Sequence, residues 1–160
     1  MPGPIFRLAR AGDARAIALM SRELIETGLG GWSWPPQRVA RSIQARDTVV
    51  LAASISDFVV GFAIMNFGDV QAHLSLLAVR PPHRRCGIGR RMMEWLEESA
   101  LVAGIATVNL ELRVNNSAAR DFYRALGFKD TAYIPGYYQG VETALRMTRD
   151  IRRQVSGRIN

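Results

Sequence analysis

Residues 80–95, RPPHRRCGIGRRMMEW, run from the end of a strand through a glycine-bearing turn into an amphipathic helix. Gly87 and Gly89 let the main chain pass close to a ligand, and the first helical turn offers unpaired N–H groups at the positive end of the helix dipole. Arg84, Arg85, Arg90 and Arg91 surround that turn with mobile positive charge. The chemistry it suits is capture of phosphate oxygens. Two common phosphate loops do not fit. A Walker loop needs Lys and then Ser or Thr after its last glycine, where Arg90-Arg91 stand, and the dinucleotide fingerprint needs a third glycine where Met92 stands. Without a ligand the same residues read as a glycine-bearing helix start with solvated arginines.

RRCGIG, residues 84–89, resembles the R/Q-x-x-G-x-G/A turn of the GNAT superfamily of N-acetyltransferases, set between the same strand and helix. The resemblance implies acetyl-coenzyme A as cosubstrate. Leu77, Ala78 and Val79 would offer backbone partners to the pantetheine and thioester, and Arg84, Arg85, Cys86, Gly87, Ile88, Gly89 and Arg90 would cradle the diphosphate. LELRVNNSAARDFYRALGF, residues 110–128, is similar to the second half of the site in bacterial ribosomal-protein alanine N-acetyltransferases. Those enzymes carry a strand Glu, an Asn five residues later and a helix Tyr twelve residues after the Glu, here Glu111, Asn116 and Tyr123.

The resemblance implies that Glu111 takes a proton from the amine, Tyr123 protonates the departing thiolate and Asn116 contacts the cofactor. An α-amine has a reference pKa near ~7.7 to 8.0, so much of it is ammonium at neutral pH and must lose a proton before it attacks. A carboxylate in a partly desolvated cleft can accept that proton, directly or through water, and a phenol can donate one. Direct transfer needs no covalent enzyme intermediate, so Cys86 is not required as a nucleophile. Plainer readings stand beside these. Glu111 reads equally as a polar-face strand residue paired with Arg113 at i+2, Tyr123 as a core tyrosine beside Phe122 and Leu126, and His73 as a rival base.

PGYYQGVETALRM, residues 135–147, resembles the closing loop of protein N-terminal acetyltransferases, where a Tyr-Tyr pair near an acid holds the first residues of a peptide. Tyr137, Tyr138 and Glu142 are the matching positions, although the usual Glu-Asp is here Glu142-Thr143. GLGGWSWPP, residues 28–36, would form the facing wall, with Trp32 and Trp34 as substrate contacts or packing anchors.

The elements that must position these residues follow from periodicity. Residues 5–10 read as a strand, and Ala14, Ile17, Met20 and Leu24 recur at helical spacing until near Gly28. Residues 37–45 suit a second helix, and residues 48–54 and 58–67 a hairpin joined through Ser-Asp. Residues 72–79 alternate, with Ala72, Leu74, Leu76 and Ala78 on one face and His73, Ser75, Leu77 and Val79 on the other. Ile88, Met92, Trp95, Leu96 and Ser99 stripe a long helix that Gly104 stops, with Glu94, Glu97 and Glu98 mostly away from the stripe. Residues 107–114 form another strand, and Asn115-Asn116-Ser117 caps a helix that ends at Gly127. Residues 129–134 and 142–147 close the sheet around a loop at 135–140, and a polar tail follows from 152 to 160. The expectation is a single α/β domain over residues 1–151, a mixed sheet of about seven strands flanked by about four helices. This order of elements also resembles the GNAT superfamily over nearly the whole chain.

Composition sets the outer bounds. At 160 residues, 48% hydrophobic and 22% charged, the chain can bury a core without staples. One cysteine excludes an internal disulfide, and two histidines with that cysteine make a metal site improbable. Asp57 and Asp69 interrupt the most apolar stretch, so neither a membrane helix nor a signal peptide is expected, and the cytoplasm is the default location. The formal charge of +7, carried by 20 Arg and one Lys, suits a phosphorylated cofactor better than a strongly basic substrate. RNA binding lacks an aromatic platform. The expected activity is acetyl transfer to a primary amine, favouring a protein N-terminus; a small amine metabolite, or a catalytically silent coenzyme-A-binding module, is the alternative. Oligomeric state is not legible.

Overall fold

The structure is a computed structural model, and residues 2–152 are described. The elements in order are β1 (Ile5–Leu8), α1 (Ala14–Met20), α2 (Pro36–Gln44), β2 (Thr48–Ile55), β3 (Phe58–Phe67), β4 (Gln71–Val79), α3 (Ile88–Val102), β5 (Thr107–Arg113), α4 (Ser117–Ala125), β6 (Lys129–Tyr138) and β7 (Glu142–Asp150). The strands make one seven-stranded sheet in the order β1-β2-β3-β4-β5-β7-β6, antiparallel except for β4 against β5. The expected mixed sheet with four helices is the one observed. The tail beyond residue 152 lies outside the described residues.

Each face of the sheet carries its own core. Ile88, Met92, Met93, Leu96 and Ala100 of α3 and Tyr123 of α4 cover one face against Leu51, Ala63, Leu110 and Leu145, while Ile17, Ala18 and Met20 of α1 and Val39 of α2 cover the other against Phe62 and Ile64. Removing each such aliphatic side chain from water contributes roughly 1.5–3 kcal/mol, which is why the sheet is buried on both sides at its centre. Glu97 departs from the exposed position expected of it. It forms a 2.9 Å ion pair with Arg149 of β7, with 12% and 8% of the two side chains exposed. The β2–β3 hairpin turns on Ser56 and Asp57, both at positive φ, as a two-residue turn with matching twist requires.

Two expectations are corrected. After α1 the chain continues through a wider turn, Ser21–Ile25, with i→i+5 bonding such as Glu26 N–H to Ser21 O at 2.8 Å. Residues 135–138 are strand rather than loop: β6 runs on to Tyr138 through an irregular stretch after Ile134, leaving only a tight turn before β7.

Candidate active site

β4 and β5 pair from Gln71↔Thr107 to Leu74↔Leu110 and no further, although β4 continues to Val79 and β5 to Arg113. The cause is local to β4. Its register on β3 passes from Met65↔Leu74 to Ile64↔Leu76, so Ser75 is an extra residue without a partner. Such a bulge bends and twists its strand. The bend opens a fork between β4 and β5 and also breaks the expected alternation. Ala72 and Leu74 pack into the α3–α4 core but Leu76 and Ala78 into the α1–α2 core, while Leu77 and Val79 turn to the α3–α4 side.

Glu111 sits where the fork begins, with only 6% of its side chain exposed. His73 Nε2 lies 2.6 Å from Oε1, Tyr137 donates its hydroxyl to the same oxygen at 3.1 Å, and Arg146 Nε donates to Oε2 at 2.9 Å. Burial alone would raise the carboxyl pKa. The hydrogen bonds from His73 and Arg146, the positive charge of His73 when it is protonated, and the Tyr137 hydroxyl outweigh it and hold the group down at about 2. The plainer reading, Glu111 paired with Arg113, does not hold: Arg113 grips Glu142 with two bonds, at 2.8 and 2.6 Å, and donates to the main-chain oxygen of Thr27. Arg146 went unread because it reaches Glu111 only through the β5–β7 pairing, in which the two residues are opposite each other. The one local signal is their opposite charge at facing positions of two alternating strands.

At the other end of the fork, Gly87 precedes α3 with φ +82°, a left-handed conformation that a side chain would strain. The first helical bond is Arg91 N–H to Gly87 O at 3.0 Å, so the amides of Ile88, Gly89 and Arg90 have no carbonyl partner among the described residues. A Cβ on Gly89 would stand 3.1 Å from the Phe122 ring, so the missing side chain lets α3 approach α4. Arg85, Cys86 and Arg90 are exposed beside these amides. Arg84 is exposed as well. Its Nε bonds the Val79 carbonyl at 2.9 Å, which leaves that oxygen already engaged, and Arg91 stacks on Phe6, 4.6 Å from the ring centre.

Tyr123 is 7% exposed, wedged edge-on between Phe122 and Phe128 with ring centres 5.0 and 5.6 Å away. Burial first, and Tyr138 second, raise its pKa, so the phenol stays protonated. Asn116 caps α4, its side-chain oxygen accepting from Ala119 N–H at 3.1 Å, which leaves its amide nitrogen to donate to a ligand.

The side facing the fork is two loops clamped together. Gln139, in the β6–β7 turn, accepts from Gly30 N–H at 2.8 Å and donates to Gly30 O. Behind it, buried Glu26 accepts from Ser21 Oγ at 2.8 Å and Ser33 N–H at 2.6 Å, fixing the loop that carries Trp32. Trp32 donates to Ala18 O at 3.2 Å and packs with Trp34 against the α1–α2 core, so both are anchors of that wall. Tyr137 and Tyr138 meet edge to face at 5.0 Å, and Tyr137 leans over Glu111. Glu142, which the resemblance assigned to substrate, has its charge met by Arg113, and this contact lowers its pKa. The structure thus brings Glu111, His73 and Tyr137 together and leaves Trp32 and Glu142 in the supporting wall.

Among the described residues no cluster of His, Cys, Asp and Glu is placed to hold a metal ion, and no helix is long and apolar enough to cross a membrane. The family model described as Acetyltransferase (GNAT) family matches residues 17–128. An uncharacterised N-acetyltransferase of Methanocaldococcus jannaschii is 30% identical over 91% of this chain and 90% of its own. The ribosomal protein bS18-alanine N-acetyltransferase of Salmonella typhimurium is 35% identical over 63% of this chain and 70% of its own. Among solved structures, Ard1 of Thermoplasma volcanium superposes with a TM-score of 0.82 at 23% identity, covering 93% of this chain and 98% of its own. The ribosomal-protein-S18-alanine N-acetyltransferase of Escherichia coli superposes at 0.77 with 27% identity, covering 92% and 94%. With a forked sheet, a glycine turn of free amides and a family match over well more than half its length, the chain belongs to the GNAT family and is an N-acetyltransferase.

Proposed function

We propose that this enzyme transfers acetyl from acetyl-coenzyme A directly to the α-amine of a protein N-terminus. The observation that carries the reading is the fork itself, open above Leu74 and Leu110, with the Glu111–His73 pair at its base and the three free amides of α3 at its far end. The amides suit the diphosphate, since a helix N-terminus presents donors and positive dipole to an anion. Arg85 and Arg90 add charge, and the backbone edge of Leu77 with the Val79 N–H, neither paired to β5, can meet the extended pantetheine, while the Val79 carbonyl is held by Arg84. Structural neighbours include an acetyltransferase of Salmonella typhimurium with acetyl-CoA and one of Thermoplasma acidophilum with coenzyme A.

When bound, acetyl-coenzyme A supplies an activated acyl group. The chain's own residues supply proton management. Tyr123, kept protonated by burial, donates to the thiolate as it leaves. The Glu111–His73 pair receives the proton that the ammonium must shed, beneath Tyr137 and Tyr138, which line the acceptor side. The bacterial relatives named for an alanine N-terminus favour a peptide acceptor. The meeting of Glu142 with Arg113 favours a second reading, a small amine, because it removes an anion that a peptide ammonium would use. A thiol-release screen of N-terminal peptides against small amines tests the proposal. Turnover of an alanine-initiated peptide supports it, and turnover of small amines alone overturns the peptide assignment. Binding of acetyl-coenzyme A with no turnover of any amine would make the chain a silent binding module.

A further inference from the structure

Glu111 meets the requirements of an anchor better than those of a base. Its two oxygens already accept three bonds, and a carboxyl that these donors hold below its ordinary value is poorly matched to an amine at neutral pH. Being ionised, it can only accept, so His73 Nε2 must carry the hydrogen of their 2.6 Å contact, and in the neutral imidazole Nδ1 is then a lone pair. Nδ1 faces the Ser75 hydroxyl at 3.4 Å, and Ser75 is the bulged residue at which the fork opens. The His73 side chain is 42% exposed and lines an open cavity of about 420 Å³ with Asp69, Gln71 and Asn109, on the far side from the fork.

We propose that His73 is the group that takes the proton from the amine, through the Ser75 hydroxyl or a water in its place, and discharges it to solvent along this cavity, with Glu111 as the positioning residue that fixes its tautomer and balances the imidazolium. The inference rests on the acetyltransferase reading and deepens it. Atoms balance as follows. One ammonium proton moves by way of Ser75 to Nδ1 and leaves to water. The amine nitrogen bonds the thioester carbon, and the C–S bond breaks with its electron pair on sulfur. Tyr123 protonates that sulfur, and the second nitrogen proton restores the phenol. The charged or titratable groups that bear on the imidazole are Glu111 from β5, Arg146 from β7 and Tyr137 from β6, the last two through Glu111, and Asp69 at the cavity.

The test uses the whole chain, acetyl-coenzyme A and a short alanine-initiated peptide. His73→Gln is expected to lower kcat/KM by ~10² to 10⁴ and to erase the acidic limb of its pH profile while acetyl-coenzyme A binding is retained. Free imidazole is expected to restore part of the rate to His73→Gly. Nitrogen NMR of the resting enzyme is expected to show His73 protonated on Nε2, and Glu111→Gln to lose that preference. A His73→Gln enzyme with wild-type rate and pH profile, or a resting imidazole protonated on Nδ1, overturns the proposal. If the wild type binds acetyl-coenzyme A but acetylates no amine, the acetyltransferase reading falls instead, and the nitrogen spectrum still decides the His73–Glu111 pairing by itself.

Discussion

Replacing Glu111 by Gln removes the one anion on which His73, Arg146 and Tyr137 converge, and its cost depends on pH in a way that the geometry dictates. The carboxyl drops from an ordinary 4.5 to about 2 in the folded chain. At about 1.4 kcal/mol for each tenfold change, that drop amounts to about 3 kcal/mol of stability, or about 2 once water screening from the open cavity is allowed for. Because the folded value lies below the unfolded one, this contribution is complete above the unfolded value and is lost as pH falls toward the folded one, between about pH 5 and about pH 2. Asp13 and Glu142 are also held low, by Arg7 and Arg113, but they are present in both proteins and cancel in the difference. Urea unfolding of wild type and Glu111→Gln across this range is the assay. Near neutrality the wild type should be more stable by about 2 to 3 kcal/mol, and the gap should close toward about pH 2. A gap independent of pH, or no gap, would refute the claim that the charge of Glu111 is held by its three donors.

Other outcomes follow from the same geometry. Tyr123→Phe keeps the ring packed on Phe122 and Phe128, so stability should change by less than about 1 kcal/mol while kcat falls ~10² or more; an unchanged kcat removes Tyr123 from the acid role. Gly87→Trp, at φ +82° with open space around the added Cβ, should strain the turn by about 1 to 2 kcal/mol and abolish acetyl-coenzyme A binding in calorimetry with far-ultraviolet dichroism intact. Gln139→Ala breaks the clamp on Gly30 and should raise the acceptor KM about fivefold, the worth of about 1 kcal/mol, with little effect on acetyl-coenzyme A binding.

How much of this was legible depended on the range of the interaction. The elements whose period is set by neighbours three or four residues away, α3 with Ile88, Met92 and Leu96 and α4 with its Asn116 cap and Gly127 stop, appear as the sequence predicts. The face assignment along β4 failed after Ser75, because a bulge is a property of the pairing with β3 and leaves no mark in the alternation Ala72, Leu74, Leu76, Ala78. The segment 135–140 read as loop from its Pro and Gly residues, yet pairing with β7 carries the strand to Tyr138. At the site, Glu111 and Tyr137 were named without the contact between them. That contact needs β7 inserted between β5 and β6, a crossover that local patterns do not encode. For the same reason the plainer reading of Glu111 offers Arg113, two residues away, whereas the partner of Arg113 is Glu142 across the sheet.

The central claim is that acetyl transfer takes place where β4 parts from β5. Crystals of the chain grown with acetyl-coenzyme A address it most directly. The account predicts thioester density between Leu77–Val79 and residues 111–113, with the diphosphate against the amides of Ile88, Gly89 and Arg90. Density lodged on another face, with the fork filled by the chain's own side chains, would contradict it.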